Sequence, residues 1–182
     1  MGLVLFFTMN SNPTLELHHH DVVGITEIYV KRKLTYSQMD VLMASPDKPT
    51  PEFKRNHQLT RMWQGLHELE TADNPTINDW AVVSDAINMM ETLLVMGWVE
   101  DPDDTLTAAM QAMAEAGRRN QEGHALRLTG QGMQTIRGIL EDYASALEQL
   151  SYRVMVVAHR KTEQRMHEIL DGKVQLHDVR FV

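Results

Sequence analysis

From residue 136 onward the apolar side chains recur as Ile136, Leu140, Tyr143, Leu147, Leu150, Val154 and Val157, at steps that alternate between four and three. A stripe that repeats every seven residues lies along one side of an α-helix and is buried by packing on a neighbour. The pattern predicts one long helix over residues 129–170, capped by Thr129 and ended at Asp171-Gly172. At about 1.5 Å of rise per residue it would be roughly 60 Å long, so the rest of the chain has to supply its partners. Val154-Met-Val-Val-Ala158 is apolar on every side, and Lys161 and Gln164 interrupt the stripe before Met166, Ile169 and Leu170. A kink, a change of register or simple solvation would each fit there.

Shorter helices precede it. Met39, Leu42 and Met43 share a face of a short helix opening at residues 35–40. Three prolines in the connector 45–51 (Ser45-Pro-Asp-Lys-Pro-Thr-Pro51) then stop it. The second helix starts near Pro51 or Glu52, carries Leu59, Met62, Trp63, Leu66 and Leu69, and ends in residues 71–75. The third has the sharpest bounds. Thr76 or Asn78 caps it, Asp79 suits its positive end, and Gly97 is placed as a left-handed stop. Its stripe is Ile77, Trp80, Val83, Ile87, Met90 and Leu94. A fourth helix starts at residues 101–104 with Leu106, Met110 and Met113 inward, and its pattern fades at Gly117.

Residues 25–30 are β-branched and aromatic, and 173–182 alternate with period two, so both read as strands needing a partner. Residues 1–13 read as a loose leader, since Gly2–Phe7 is apolar but far too short to span a bilayer. Together these features predict one domain, 1–182. It is all-α: a helical bundle of about five helices around one long C-terminal helix, with a small β element from the two termini.

The chain has no cysteine, which removes disulfides, thiolate metal sites and cysteine nucleophiles and suits a reducing, cytoplasmic setting. Its net charge of −8 argues against binding nucleic acid through phosphate neutralisation. The charge is unevenly spread. Residues 62–117 hold no Lys or Arg but eleven acids. Such acids either dock on basic parts of the same fold or form a face for a basic protein partner. On the second reading the contact residues are Glu68, Glu70, Asp73, Asp85, Glu91, Glu100, Asp101, Asp103 and Asp104.

His159, Glu163 and His167 fall at i, i+4 and i+8 on the long helix. The two histidines would be about 12 Å apart along the axis, too far to share one zinc ion, so they read first as a solvated or interfacial face. Three adjacent imidazoles at His18, His19 and His20 cannot easily converge on one ion either. Gly130-Gln-Gly132 lacks the third glycine of a dinucleotide fingerprint, and no nucleophile elbow, HExxH or Walker pattern is present. No cofactor is expected.

Lys33-Leu-Thr-Tyr-Ser-Gln-Met-Asp-Val-Leu42 resembles the opening of a helix-turn-helix, although the proline connector departs from the usual short turn. Asn78-Asp-Trp-Ala-Val-Val-Ser-Asp-Ala-Ile-Asn88, with Gly117-Arg-Arg-Asn and Leu126-Arg-Leu-Thr-Gly-Gln-Gly132, looks like small helical proteins of bacterial phages, prophages and conjugative elements. That resemblance implies no catalytic residues. The expected function is a non-enzymatic interaction protein, regulatory or inhibitory, using the acidic face. Two alternatives are a DNA-associated regulator using the basic segment 31–61 and a metal-dependent enzyme using His159, Glu163 or His167. The uncovered stripe of the long helix predicts a homodimer with Val154 and Val157 at the contact.

Overall fold

Residues 34–101 and 103–170 are described by the computed structural model of the protein, and every regular element among them is an α-helix. In order these are α1 (Gln38–Met43), α2 (Glu52–Thr71), α3 (Ile77–Val95), α4 (Thr105–Gln121), α5 (Gly130–Gln149) and α6 (Tyr152–Leu170). The leader at 1–13 and the strands expected at 25–30 and 173–182 lie outside the described residues.

The other helices gather around α3, which packs against α2, α4, α5 and α6. Its local sequence specifies it fully. Thr76 and Asp79 form a reciprocal capping box, and Gly97 takes the left-handed conformation at φ 71°. From Trp80 to Leu93 nearly every side chain is buried, as a helix surrounded on several sides requires. Close backbone approach fixes its neighbours. A Cβ on Gly65 of α2 would lie 2.9 Å from the Asp79 carbonyl oxygen. Gly117 does not end α4; it leaves room there for the Trp80 ring, 3.2 Å from where its Cβ would be. Trp80 Nε1 donates to the Met113 carbonyl at 3.2 Å.

The single long helix predicted over 129–170 is instead two helices. Thr129 caps the first as expected, accepting from the Gly132 N–H at 3.1 Å. Leu150 then turns extended (ψ 148°), and Ser151 pairs with Pro49 in an isolated antiparallel bridge. The first turn of a helix leaves N–H groups without intrahelical partners, and here the proline connector supplies them. The Lys48 carbonyl accepts from the Tyr152 N–H at 2.7 Å and the Ser45 carbonyl from the Arg153 N–H at 3.0 Å. Ser151 Oγ accepts from the Val154 N–H at 3.4 Å.

The break also resets the phase of the stripe. Ile136, Leu140, Tyr143 and Leu147 are buried as the heptad requires, but α6 buries Met155, Ala158 and Met166 rather than Val154 and Val157. Both valines are half-buried, and Val154 packs at the edge of the core.

Candidate functional site

Residues 35–50 run as a strap along α6, and polar groups fasten it. Arg153 Nε and Nη2 donate to the carbonyls of Ala44 and Leu42, each at 3.1 Å. Arg160 Nη1 donates to the Tyr36 carbonyl. Glu163 accepts from the Thr35 N–H at 2.9 Å and from Thr35 Oγ1 at 2.6 Å. Steps of seven and three set Arg153, Arg160 and Glu163 on one side of α6. Val157, four residues after Arg153, belongs to that same side. Of the two valines expected at a dimer contact, Val157 thus lies on the side of the strap, whereas Val154 packs at the core.

The short helix in the strap is turned inside out. Met39, Leu42 and Met43 are 63%, 68% and 78% exposed, α1 buries no residue, and Val41 on the opposite side is half-buried. At 100° per residue Met39, Leu42 and Met43 share one face, flanked by Gln38 and Asp40. Ser37 and Asp40 close a capping box that stabilises this one-and-a-half-turn helix. Phe53, at the start of α2, is exposed as well.

Behind the strap is a cavity of about 10 Å³, to which Tyr36, Thr50, Gln58, Tyr143, Tyr152 and His159 bring polar groups and Met89, Leu147, Met155 and Val156 an apolar wall. Lys54 Nζ donates to Tyr152 Oη at 2.6 Å and lies 5.0 Å from that ring's centroid and 5.7 Å from that of Tyr36, within cation–π reach of both. Burial, reinforced by the neighbouring Tyr152 hydroxyl, pushes the Tyr36 phenol up to about 12, so it stays protonated as a donor. Burial likewise pushes the Tyr143 phenol up. The His159 ring meets Tyr36 edge to face at 5.1 Å, and its Nδ1 is 3.5 Å from Glu163 Oε2. Burial pushes the Glu163 carboxyl up, yet the nearby His159 ring and the two bonds from Thr35 outweigh it and hold the group below the ordinary glutamate range.

His159 and Glu163, singled out for their spacing, therefore meet at this site. His167 is two turns further along α6, and among the described residues no three His, Asp or Glu side chains converge on a metal position. The site owes more to Tyr36, Thr50, Lys54, Gln58, Tyr143 and Tyr152, which carried no local signal. Lys54 and Tyr152 stand 98 residues apart in the chain.

The acidic residues divide between internal and exposed duties. Glu70 pairs with Arg137, Asp73 with Arg127 at 3.3 Å, and buried Glu91 with Arg165. Burial pushes the Glu91 carboxyl up against the opposing pull of that guanidinium. Asp101 accepts from the N–H groups of Thr105 and Leu106 at the start of α4, at 2.9 and 2.8 Å, and Asp104 from Thr107 Oγ1 at 2.6 Å. Glu68 is half-buried; Asp85, Glu100 and Asp103 are exposed. Within the basic segment 31–61, Lys54 serves Tyr152 and Arg55 lies 4.0 Å from Glu148.

No protein-family model matches the chain, and no curated protein or solved structure is significantly similar to it.

Proposed function

We propose that this is a non-enzymatic interaction protein, regulatory or inhibitory, that docks a basic amphipathic segment of a partner protein on the outward face of α1. One observation carries the reading: α1 directs Met39, Leu42 and Met43 to solvent while polar bonds from α6 hold its backbone in place. A helix fastened by hydrophobic packing would turn this face inward. Methionine side chains are flexible and polarizable, which suits a surface that must adapt to a partner.

The flanking charge argues for the partner's chemistry. Asp40, Asp47 and Glu52 are exposed around α1 and the start of α2, against Lys48 as the exposed base of the same stretch. An acidic rim around an apolar face favours Lys and Arg at the edges of the docked segment. The internal pairing of Glu70, Asp73 and Glu91 moves the favoured contact surface from the acidic middle helices to the strap. The resemblance to proteins of mobile elements is compatible with such a role and proposes its setting.

The test is titration with a fluorescently labelled Leu/Lys helical peptide, alongside a Leu/Glu counterpart of equal hydrophobicity. The basic peptide should bind, the acidic one should not, and the double variant Leu42→Gln, Met43→Gln should weaken binding at least tenfold, about 1.4 kcal/mol. A benzophenone residue in place of Leu42 then separates the occupants. Crosslinking to the peptide supports the reading; crosslinking to residues 1–33 of the same chain, or to a second copy, overturns it.

A further inference from the structure

We propose that the cavity beneath the strap is a binding site for one water molecule, held between Thr50 Oγ1 and Gln58 Oε1 as a joint between the strap and α2. Thr50 is buried to 4% exposure, and its hydroxyl oxygen and the Gln58 amide oxygen have no hydrogen-bond partner among the described residues. Both residues line the same cavity of about 10 Å³. Buried hydroxyl and amide groups are almost always partnered, by protein or by an ordered molecule. A cavity of this size accommodates the centre of one water, and the two unpartnered oxygens distinguish it from a wholly apolar void that stays dry, although Met89, Leu147, Met155 and Val156 line the rest.

The chemistry of the walls selects the ligand. Gln58 Oε1 only accepts, so a neutral occupant must donate a hydrogen bond to it, whereas Thr50 Oγ1 can donate or accept. Water satisfies both with one O–H to Gln58 and either role towards Thr50. A metal cation could be held by these oxygens but would find no carboxylate among the lining residues to balance its charge, and an organic ligand of several heavy atoms exceeds the space. The remaining polar walls, Tyr36, Tyr143, Tyr152 and His159, surround the site with groups from the strap, α5 and α6. The bound molecule would thus link Thr50 at the end of the strap to Gln58 in α2, in addition to the clamps that α6 makes through Arg153, Arg160 and Glu163. This inference does not depend on the docking role of α1.

A high-resolution crystal structure of the full chain tests it, together with Thr50→Val, which keeps the side-chain shape and removes the hydroxyl. In the wild type we expect one fully occupied water within hydrogen-bond distance of Thr50 Oγ1 and Gln58 Oε1. In Thr50→Val we expect that density to be lost. Exchange of the Tyr152 and Arg153 amide protons, which bond to the connector carbonyls, should then be faster by roughly tenfold as the joint loosens. A wild-type cavity without density, or a direct bond between Thr50 and Gln58, would overturn the proposal. So would unchanged exchange at both amides in a folded variant. Should Thr50→Val fail to fold, the wild-type density decides alone.

Discussion

At Gly65 the absence of one methyl group sets how closely two helices approach. Its Cβ would sit 2.9 Å from a backbone oxygen of α3, which cannot swing aside as a side chain would. Gly65→Ala should therefore destabilise the protein by about 1–3 kcal/mol despite the better helix propensity of alanine, as urea unfolding would show. The Glu91–Arg165 pair tests the opposite case, a contact whose removal strands a charge. Arg165→Met leaves the buried Glu91 carboxylate behind and should cost about 3–5 kcal/mol, while Glu91→Gln with Arg165→Met should recover much of that loss. A single variant as stable as wild type would remove the pair from this account. Glu91 and Glu163 also give opposite pH dependences. Glu163 ionises more readily folded than unfolded, so its contribution is present above the ordinary glutamate value of about 4.3 and is lost as pH falls through its folded value. The Thr35 clamp should loosen with it. Glu91, raised by burial, lowers stability as pH rises from the ordinary value through its folded one. Carboxyl carbon NMR titration of the two groups should place them on opposite sides of that value.

The helices differ in how much of their definition is local. Thr76, Asp79, the stripe from Ile77 to Leu94 and Gly97 all lie within or beside α3, so its bounds are legible from sequence. The same holds for Thr129 at the start of α5. The division between α5 and α6 is not legible, because what ends the long stripe is the set of carbonyls that Ser45 and Lys48 bring to residues 152 and 153. Heptad spacing continues through Leu150 undisturbed, and the break is favoured by these tertiary hydrogen bonds together with the Ser151 hydroxyl that accepts from the Val154 N–H. Gly117 misleads for a related reason: the apolar pattern fades there, but the helix runs on and the glycine makes room for the Trp80 ring. The strap is the element whose stability follows most directly from single contacts. Arg153→Ala deletes two bonds to strap carbonyls, and limited proteolysis should then cut within residues 38–50 several-fold faster, with α3 still intact. Equal cleavage rates would mean that the strap is held by something other than its polar clamps.

Across the whole molecule, the sequence conveys the all-helical class and the uneven charge, but not which surface is left available. Three of the eleven acids of residues 62–117, Glu70, Asp73 and Glu91, look uncompensated along the chain because Arg137, Arg127 and Arg165 reach them from the C-terminal half. The site at the strap is equally non-local, drawing Tyr36, Lys54, Tyr152 and Glu163 from separate stretches. Met39, Leu42 and Met43 were visible as one face of a short helix; the direction of that face depends on the clamps of α6. This outward face is the proposed docking surface, and methionine-methyl NMR of the full chain with the Leu/Lys peptide tests that role most directly. We expect the Met39 and Met43 methyl resonances to shift on titration while those of buried Met62 and Met113 stay in place. Shifts confined to other methionines, or none at saturating peptide, would contradict it.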